Sequence, residues 1–288
     1  MSGVPALHCG PRRLPLDTPQ IMGVINMTPD SFSDGAKYLQ QGRWDLALVT
    51  DAAARMVEDG AAILDVGGES TRPGATPVSV AEELARVVPV IERLSRLDVV
   101  ISVDTSKPEV ARAAVEAGAT LINDVRALQA PGMLALSASL DAGLCLMHMQ
   151  GEPDSMQVDP RYRDVVSDVC RFLQGRVQAC LDAGIDRSRL LVDPGFGFGK
   201  SLTHNLQLLD RLAELQSLNV PLLVGMSRKS MLGRIVGRDV GERVPAGLAA
   251  AVLAVARGAA IVRTHDVAET RDALLMCTAL RDPARFDG

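Results

Sequence analysis

The sequence predicts a single closed (β/α)8 barrel of the α/β class. Three observations point there: one helix-Gly-strand pattern recurs along the chain, the strands that follow are apolar throughout, and nearly every strand ends in a polar residue. A length of 288 residues suits one such barrel, since roughly 250 residues are typical. Residues 1–20 read as a loose lead-in, 21–280 as the barrel and 281–288 as a frayed tail.

The recurring pattern is an Ala-rich helix that ends at Gly and gives way to a β-branched or Leu-rich run. It appears as EDGAAILDV (58–66), EAGATLIND (116–124), DAGLCLMH (141–148) and ARGAAIVRTH (256–265), with a looser copy at 182–195. Gly suits the left-handed position that closes a helix. Runs that are apolar throughout fit strands buried on both faces. IMGVIN (21–26), VVISVD (99–104) and PLLVG (221–225) complete eight candidate strands. Helical spacing follows most of them: Leu46, Val49, Ala53, Met56 and Val57 form one stripe. An open doubly wound sheet could carry the same alternation.

Composition narrows the class. Apolar residues are 47% of the chain and charged residues 23%, enough for a core and too apolar for disorder. Aromatics are only 3%, so Ala, Val, Leu and Ile carry that core. Net charge is −5 and no basic stripe is interleaved with aromatics, so neither nucleic acid nor an anionic membrane is an expected partner. The first 20 residues lack a signal-peptide core, and the longest apolar run, 246–256, is too short to span a bilayer. Five scattered cysteines without a CxxC read as reduced thiols of a cytoplasmic protein.

The strand ends carry the chemistry. Asn26, Asp65, Asp104, Asn123, Asp124, His148, Asp193, Ser227, Arg228, Lys229, Arg263 and His265 would converge on the catalytic mouth of a barrel. A helix cap or an Asx turn explains any one of them alone; seven or eight polar ends on one rim are harder to explain that way. Asp104, Asn123, Asp193 and Lys229 supply donors and acceptors suited to a heterocycle with amino and lactam edges. Arg72, Arg263 and His265 suit an anion. No HExxH, Cys/His cluster or Gly-x-Ser-x-Gly elbow is present, which disfavours a zinc hydrolase or a triad esterase. GFGFGK (195–200) lacks the spacing of a phosphate loop. The segments 28–38 and 67–77 are long, polar and rich in Gly, Pro, Ser and Thr, as lids over a mouth are.

Eight segments in order resemble the dihydropteroate synthase family: NMTPDSFSDG (26–35), DVGGESTRPG (65–74), SVDTSKPEV (102–110), INDV (122–125), MHMQG (147–151), DPGFGFGK (193–200), GMSRKSMLG (225–233) and RTHDV (263–267). Two departures, Ala36 for a second Gly and Phe196 for a common Ile, bear on loop mobility and local packing. The resemblance implies a transferase of folate biosynthesis, with Mg2+ as cofactor and a homodimeric assembly. Its reaction joins 6-hydroxymethyl-7,8-dihydropterin diphosphate to 4-aminobenzoate, by departure of diphosphate and then attack of the aromatic amine. It also implies residue roles. Asp104, Asn123, Asp193, Lys229 and Met147 would bind the pterin. Asn26, Thr71, Arg263 and His265 would hold the diphosphate, with Asn26 on the metal. Phe32, Thr71, Pro73, Lys229 and Ser230 would line the aminobenzoate pocket. Asp104, Lys229, Arg72 and Asp34 would be catalytic, the last two closing over the diphosphate. A pterin-dependent methyltransferase, which has no use for the diphosphate residues, and a non-catalytic pterin-binding paralogue are the rival readings. The α-helical run 246–256 is the candidate assembly surface.

Overall fold

The structure, a computed structural model, describes residues 6–29, 38–40, 43–70, 75–151, 156 and 159–287. Two short strands, β1 (Ala6–Cys9) and β2 (Arg12–Pro15), form an antiparallel hairpin. β3 (Gln20–Asn26) opens the barrel. A second small hairpin, β4 (Leu39–Gln40) with β5 (Arg43–Trp44), leads into α1 (Leu46–Glu58). Strands and helices then alternate: β6 (Ile63–Gly67), α2 (Val80–Leu94), β7 (Val100–Asp104), α3 (Pro108–Glu116), β8 (Leu121–Asp124), α4 (Met133–Ser139), β9 (Gly143–Met147), α5 (Val165–Asp182), β10 (Leu190–Asp193) and α6 (Leu202–Asp210). β11 (Leu222–Val224), α7 (Ser230–Val236), α8 (Val244–Ala256), β12 (Ala259–Thr264) and α9 (Val267–Arg281) follow, and a 3-10 turn at Pro283–Phe286 comes last; further 3-10 turns lie at Arg187–Arg189, Leu212–Leu218 and Val240–Glu242.

Eight strands, all paired in parallel, close in the order β10-β11-β12-β3-β6-β7-β8-β9. The expected barrel, not the open sheet, is the architecture. Local sequence explains its parts. Asp45 caps α1, accepting from the amides of Ala47 and Leu48 at 3.1 and 3.0 Å. Val49, Ala52 and Ala53 of that helix are buried against the core. After α3, Gly118 adopts φ +114, and a Cβ there would lie 2.5 Å from the Ser95 Cβ. One member of the repeat behaves differently. Gly143 begins β9 with no left-handed turn; there the close approach is what favours Gly, since a Cβ would lie 3.0 Å from Cys9 Sγ and 3.1 Å from the His8 carbonyl oxygen.

That crowding comes from the hairpin, and the expectation of a loose lead-in is corrected. Leu7, Cys9 and Leu14 pack beneath Met22, Ile63, Val100, Leu121, Cys145, Leu191, Leu223 and Ile261. A barrel this small is filled by side chains, and its lowest layer would meet water without the plug. Among the described residues no helix is long and apolar enough to cross a membrane.

Candidate active site

Strand register sets the floor of the mouth. Gly67 pairs with Asp104, and Asp104 with Asn123, so the last residue of β7 stands beside the penultimate residue of β8. Asp65 pairs with Ser102, two residues further down. Its side chain is fully buried, 0% exposed, a position that an acid holds only when it is well bonded. Three donors meet it: Ser102 Oγ at 2.6 Å, Asn123 Nδ2 at 3.1 Å and Arg263 Nε at 2.6 Å. Arg263 Nη2 then donates to Asp104 Oδ2 at 3.1 Å. The guanidinium thus bridges two carboxylates, one beneath the mouth and one in it.

The charges follow from this packing. Burial, and next the charge of Asp65, raises the Asp104 carboxyl, with Arg263 opposing. Burial by itself would lower Arg263, but Asp65 and Asp104 outweigh it and raise the guanidinium further. Arg263 therefore stays a cation within the floor. Asn123 gives its amide nitrogen to Asp65, which leaves its oxygen as an acceptor for whatever enters.

Across the barrel, Asp193 ends β10 and is buried; burial raises its carboxyl, while Lys229 and the Gly195 amide oppose the rise. The amide donates to Asp193 Oδ1 at 2.7 Å. Gly195 must be Gly: at φ +69 a Cβ would lie 1.9 Å from the His148 carbonyl oxygen. Lys229 Nζ donates to the Phe196 carbonyl and lies 4.7 Å from the centre of the Phe198 ring. Burial pulls its ammonium down to about 8, against the charge of Asp193. The Phe196 carbonyl and the Phe198 ring of the segment 195–200 thus lie against Lys229. The segment's amides at Gly195 and Gly197 donate to the side chains of Asp193 and Asn205. Phe196 itself is buried, so its departure from Ile concerns packing while its carbonyl faces Lys229.

Sequence-expected residues divide three ways. Asp104, Asn123 and Arg263 form one network, and Asp193 with Lys229 stands opposite in the same mouth. Met147 ends β9 beside Asp193 and is buried, Asn26 ends β3 beside Gly67, and Ser230 opens α7. His265 meets Ser227, its Nδ1 3.0 Å from Ser227 Oγ. Phe32, Asp34, Thr71, Arg72 and Pro73 lie outside the described residues. Two polar strand ends do not join the mouth. Asp124 turns back to accept from Ser106 Oγ and from the amides of Arg126 and Leu128, both at 2.8 Å. It supports a loop in which Ala127 and Leu128 adopt left-handed backbone. His148 packs edge-on against Phe172, its Nδ1 2.9 Å from Lys200 Nζ, and burial followed by the charge of Lys200 lowers its ring to about 3.

Sequence reasoning missed three supports. Asp65 appeared as a strand end without a role, although an acid between Leu64 and Val66 in an otherwise apolar run is a signal. Lys200 closes the DPGFGFGK motif and carries no assigned role in the sequence; it is buried and donates to the carbonyls of Gly195 and Phe198 at 2.9 and 3.0 Å. Lys107 reaches Glu69 at 2.9 Å and the buried Glu83. Glu69 also accepts from the Val78 amide at 2.8 Å, which joins the two described flanks of the 67–77 segment.

The chain resembles known proteins along nearly its full length. The model of the pterin binding enzyme family matches residues 22–265. A dihydropteroate synthase from Escherichia coli (strain K12) is 51% identical over 267 residues, covering 92% of this chain and 93% of that one. A crystal structure of the Yersinia pestis dihydropteroate synthase in a sulfonamide drug complex superposes with a TM-score of 0.91 at 49% identity, covering 96% of this chain and 99% of the other. The Xanthomonas albilineans dihydropteroate synthase with 4-aminobenzoic acid gives 0.89 at 50% identity, covering 97% and 99%.

Proposed function

This chain belongs to the pterin binding enzyme family, and we infer from that membership and from the polar floor of its barrel how it works. It is a transferase of folate biosynthesis. It joins 6-hydroxymethyl-7,8-dihydropterin diphosphate to 4-aminobenzoate, giving 7,8-dihydropteroate and diphosphate, as its dihydropteroate synthase relatives do. The observation that carries the reading at residue level is the buried Asp65–Arg263–Asp104–Asn123 network facing Asp193 and Lys229.

That arrangement suits a pterin. Asp104 and Asp193 accept from ring N–H and amino groups, Asn123 offers its amide oxygen, and Lys229 donates to the ring carbonyl. Met147 packs on the ring face. The reacting bond is the exocyclic C–O bond to diphosphate. Its electron pair leaves with the diphosphate oxygen, and the electron-rich ring shares the positive charge left on the methylene carbon. The carboxylate of Asp104 favours that charge from below. The nitrogen of 4-aminobenzoate, neutral at pH 7, then attacks the carbon and loses a proton.

Asn26, Thr71, Arg263 and His265 hold the diphosphate. Asn26 offers one hard oxygen at the strand end, beside the place the resemblance gives the diphosphate. That donor set fits Mg2+, which binds through few protein oxygens and completes its shell with phosphate and water. When bound there, Mg2+ would neutralise charge on the departing diphosphate. Phe32, Thr71, Pro73, Lys229 and Ser230 line the aminobenzoate pocket, and Asp34 and Arg72 close over the diphosphate; for the five of these outside the described residues, the motifs alone support the roles. A homodimer is supported by exposed Leu253 on α8 and exposed Leu275, Met276 and Leu280 on α9. The cytoplasm suits five cysteines that are all free thiols.

The test is direct. Protein incubated with the pterin diphosphate, 4-aminobenzoate and Mg2+ forms dihydropteroate and diphosphate in equal amounts. No product from folded protein would overturn the reading. Release or isotopic exchange of diphosphate without 4-aminobenzoate supports departure before attack, and its absence sinks that order.

A further inference from the structure

We propose that Arg228 and Asp266 are positioning residues: their ion pair bolts the loop after β11 to the loop after β12. This holds Lys229 at a fixed separation from Arg263 and His265. The proposal rests on the reading of the mouth given above, and three observations carry it.

Asp266 occupies the N-cap position of α9, where a carboxylate ordinarily accepts from the first helix amides. It makes no such bond. Its carboxylate turns away from its own helix and receives Arg228, Nη2 on Oδ1 and Nε 3.3 Å from Oδ2. Both side chains are mostly buried, 21% and 13% exposed, so solvent screens the pair less than a surface bridge.

Arg228 itself sits in left-handed backbone at φ +59. Glycine adopts that conformation freely and arginine does so under strain, so the long side chain must return something for its place. The turn it makes aims the next residue, Lys229, at the Phe196 carbonyl. Arg243 supports the same turn by donating to the Arg228 carbonyl at 3.1 Å.

The two loops also meet one residue earlier on each side. The His265 amide donates to Ser227 Oγ at 3.3 Å, and His265 Nδ1 lies 3.0 Å from the same oxygen. Ser227 Oγ also donates to Asp266 Oδ2 at 3.4 Å, so Ser227 and Arg228 on one loop face His265 and Asp266 on the other. Lys229 and Arg263 flank this seam, and a shift of one loop against the other would separate the pterin-binding lysine from the diphosphate-binding groups.

The experiment is a double-mutant cycle on full-length protein. Arg228→Met, Asp266→Asn and the double variant are assayed for kcat and for KM of both substrates, with thermal midpoints on the same preparations. Each single change should lower kcat on the order of 10–100-fold, with KM for the pterin diphosphate changing less than about threefold. The double variant should be no slower than the slower single one. Arg228→Gly, which relieves the backbone strain but removes the guanidinium, should match Arg228→Met and serves in its place if that variant does not fold. Losses that multiply in the double variant overturn the coupling. Wild-type kcat in Arg228→Gly overturns the clamp, as does a kcat loss that vanishes once corrected for the folded fraction. Product from the wild type with multiplicative variants refutes this proposal alone, whereas no product from the wild type refutes the assigned reaction.

Discussion

The two ends of this barrel use the same eight strands for opposite purposes. At the base, Leu7, Cys9 and Leu14 of the hairpin cover a ring of apolar strand residues, all buried and without charge. At the mouth, residues near the ends of those strands include Asp65, Asp104, Asn123, Asp193 and Arg263. The base gains stability by removing apolar surface from water. The mouth carries buried carboxyls raised by desolvation and a lysine lowered by it, which are conditions that oppose folding. Stability and chemistry are thereby kept at separate ends, and each should be damageable without the other.

The largest expected effect is at the mouth. Arg263→Met leaves Asp65 and Asp104 facing one another without their cation. We expect kcat/KM for the pterin diphosphate to fall on the order of 10³-fold, as for loss of a charge-stabilising donor. Steady-state kinetics beside urea unfolding checks this. A loss below tenfold would break the assignment of the network to the reaction.

The base offers the converse. Leu7→Ala opens a cavity under the lowest layer and should cost about 2–5 kcal/mol in urea unfolding, with kcat within about twofold of wild type at low denaturant. If turnover falls in step with stability, the two ends are not independent.

The smallest effect concerns pH. Lys229 is a cation below about 8 and loses its proton above it. The kcat/KM for the pterin diphosphate should therefore decline on the alkaline side with a midpoint near that value. The linked stability runs the other way. The unfolded lysine titrates near 10.5, so between about 8 and that pH the unfolded state binds more protons and the fold gains stability as pH rises. Lys229→Arg keeps its charge throughout and should remove both trends; an unchanged alkaline limb in that variant would assign it to another group.

Much of this was legible in the chain. The eight strands stood out because parallel strands buried on both faces are apolar without interruption, and their polar ends marked one rim. The base hairpin was harder to read. Its strands of four residues carry little periodicity, although Leu7 and Cys9 alternate before a Gly10-Pro11 turn. Asp124 and His148 showed the opposite difficulty: both are polar strand ends, yet one folds back on its loop and the other faces Lys200. Strand position says that a side chain leaves the barrel near the rim, not which way it then turns.

The sequence by itself determined the eight βα units, the strand that carries each polar residue, and, through ordered motifs, the family. Only the tertiary structure decided which polar groups share a charge. Asp65 meets Ser102, Asn123 and Arg263 across 37, 58 and 198 residues of chain, separations at which no local pattern operates. The raised carboxyl of Asp104 and the lowered ammonium of Lys229 exist only because barrel closure takes both away from water and sets them beside charged neighbours.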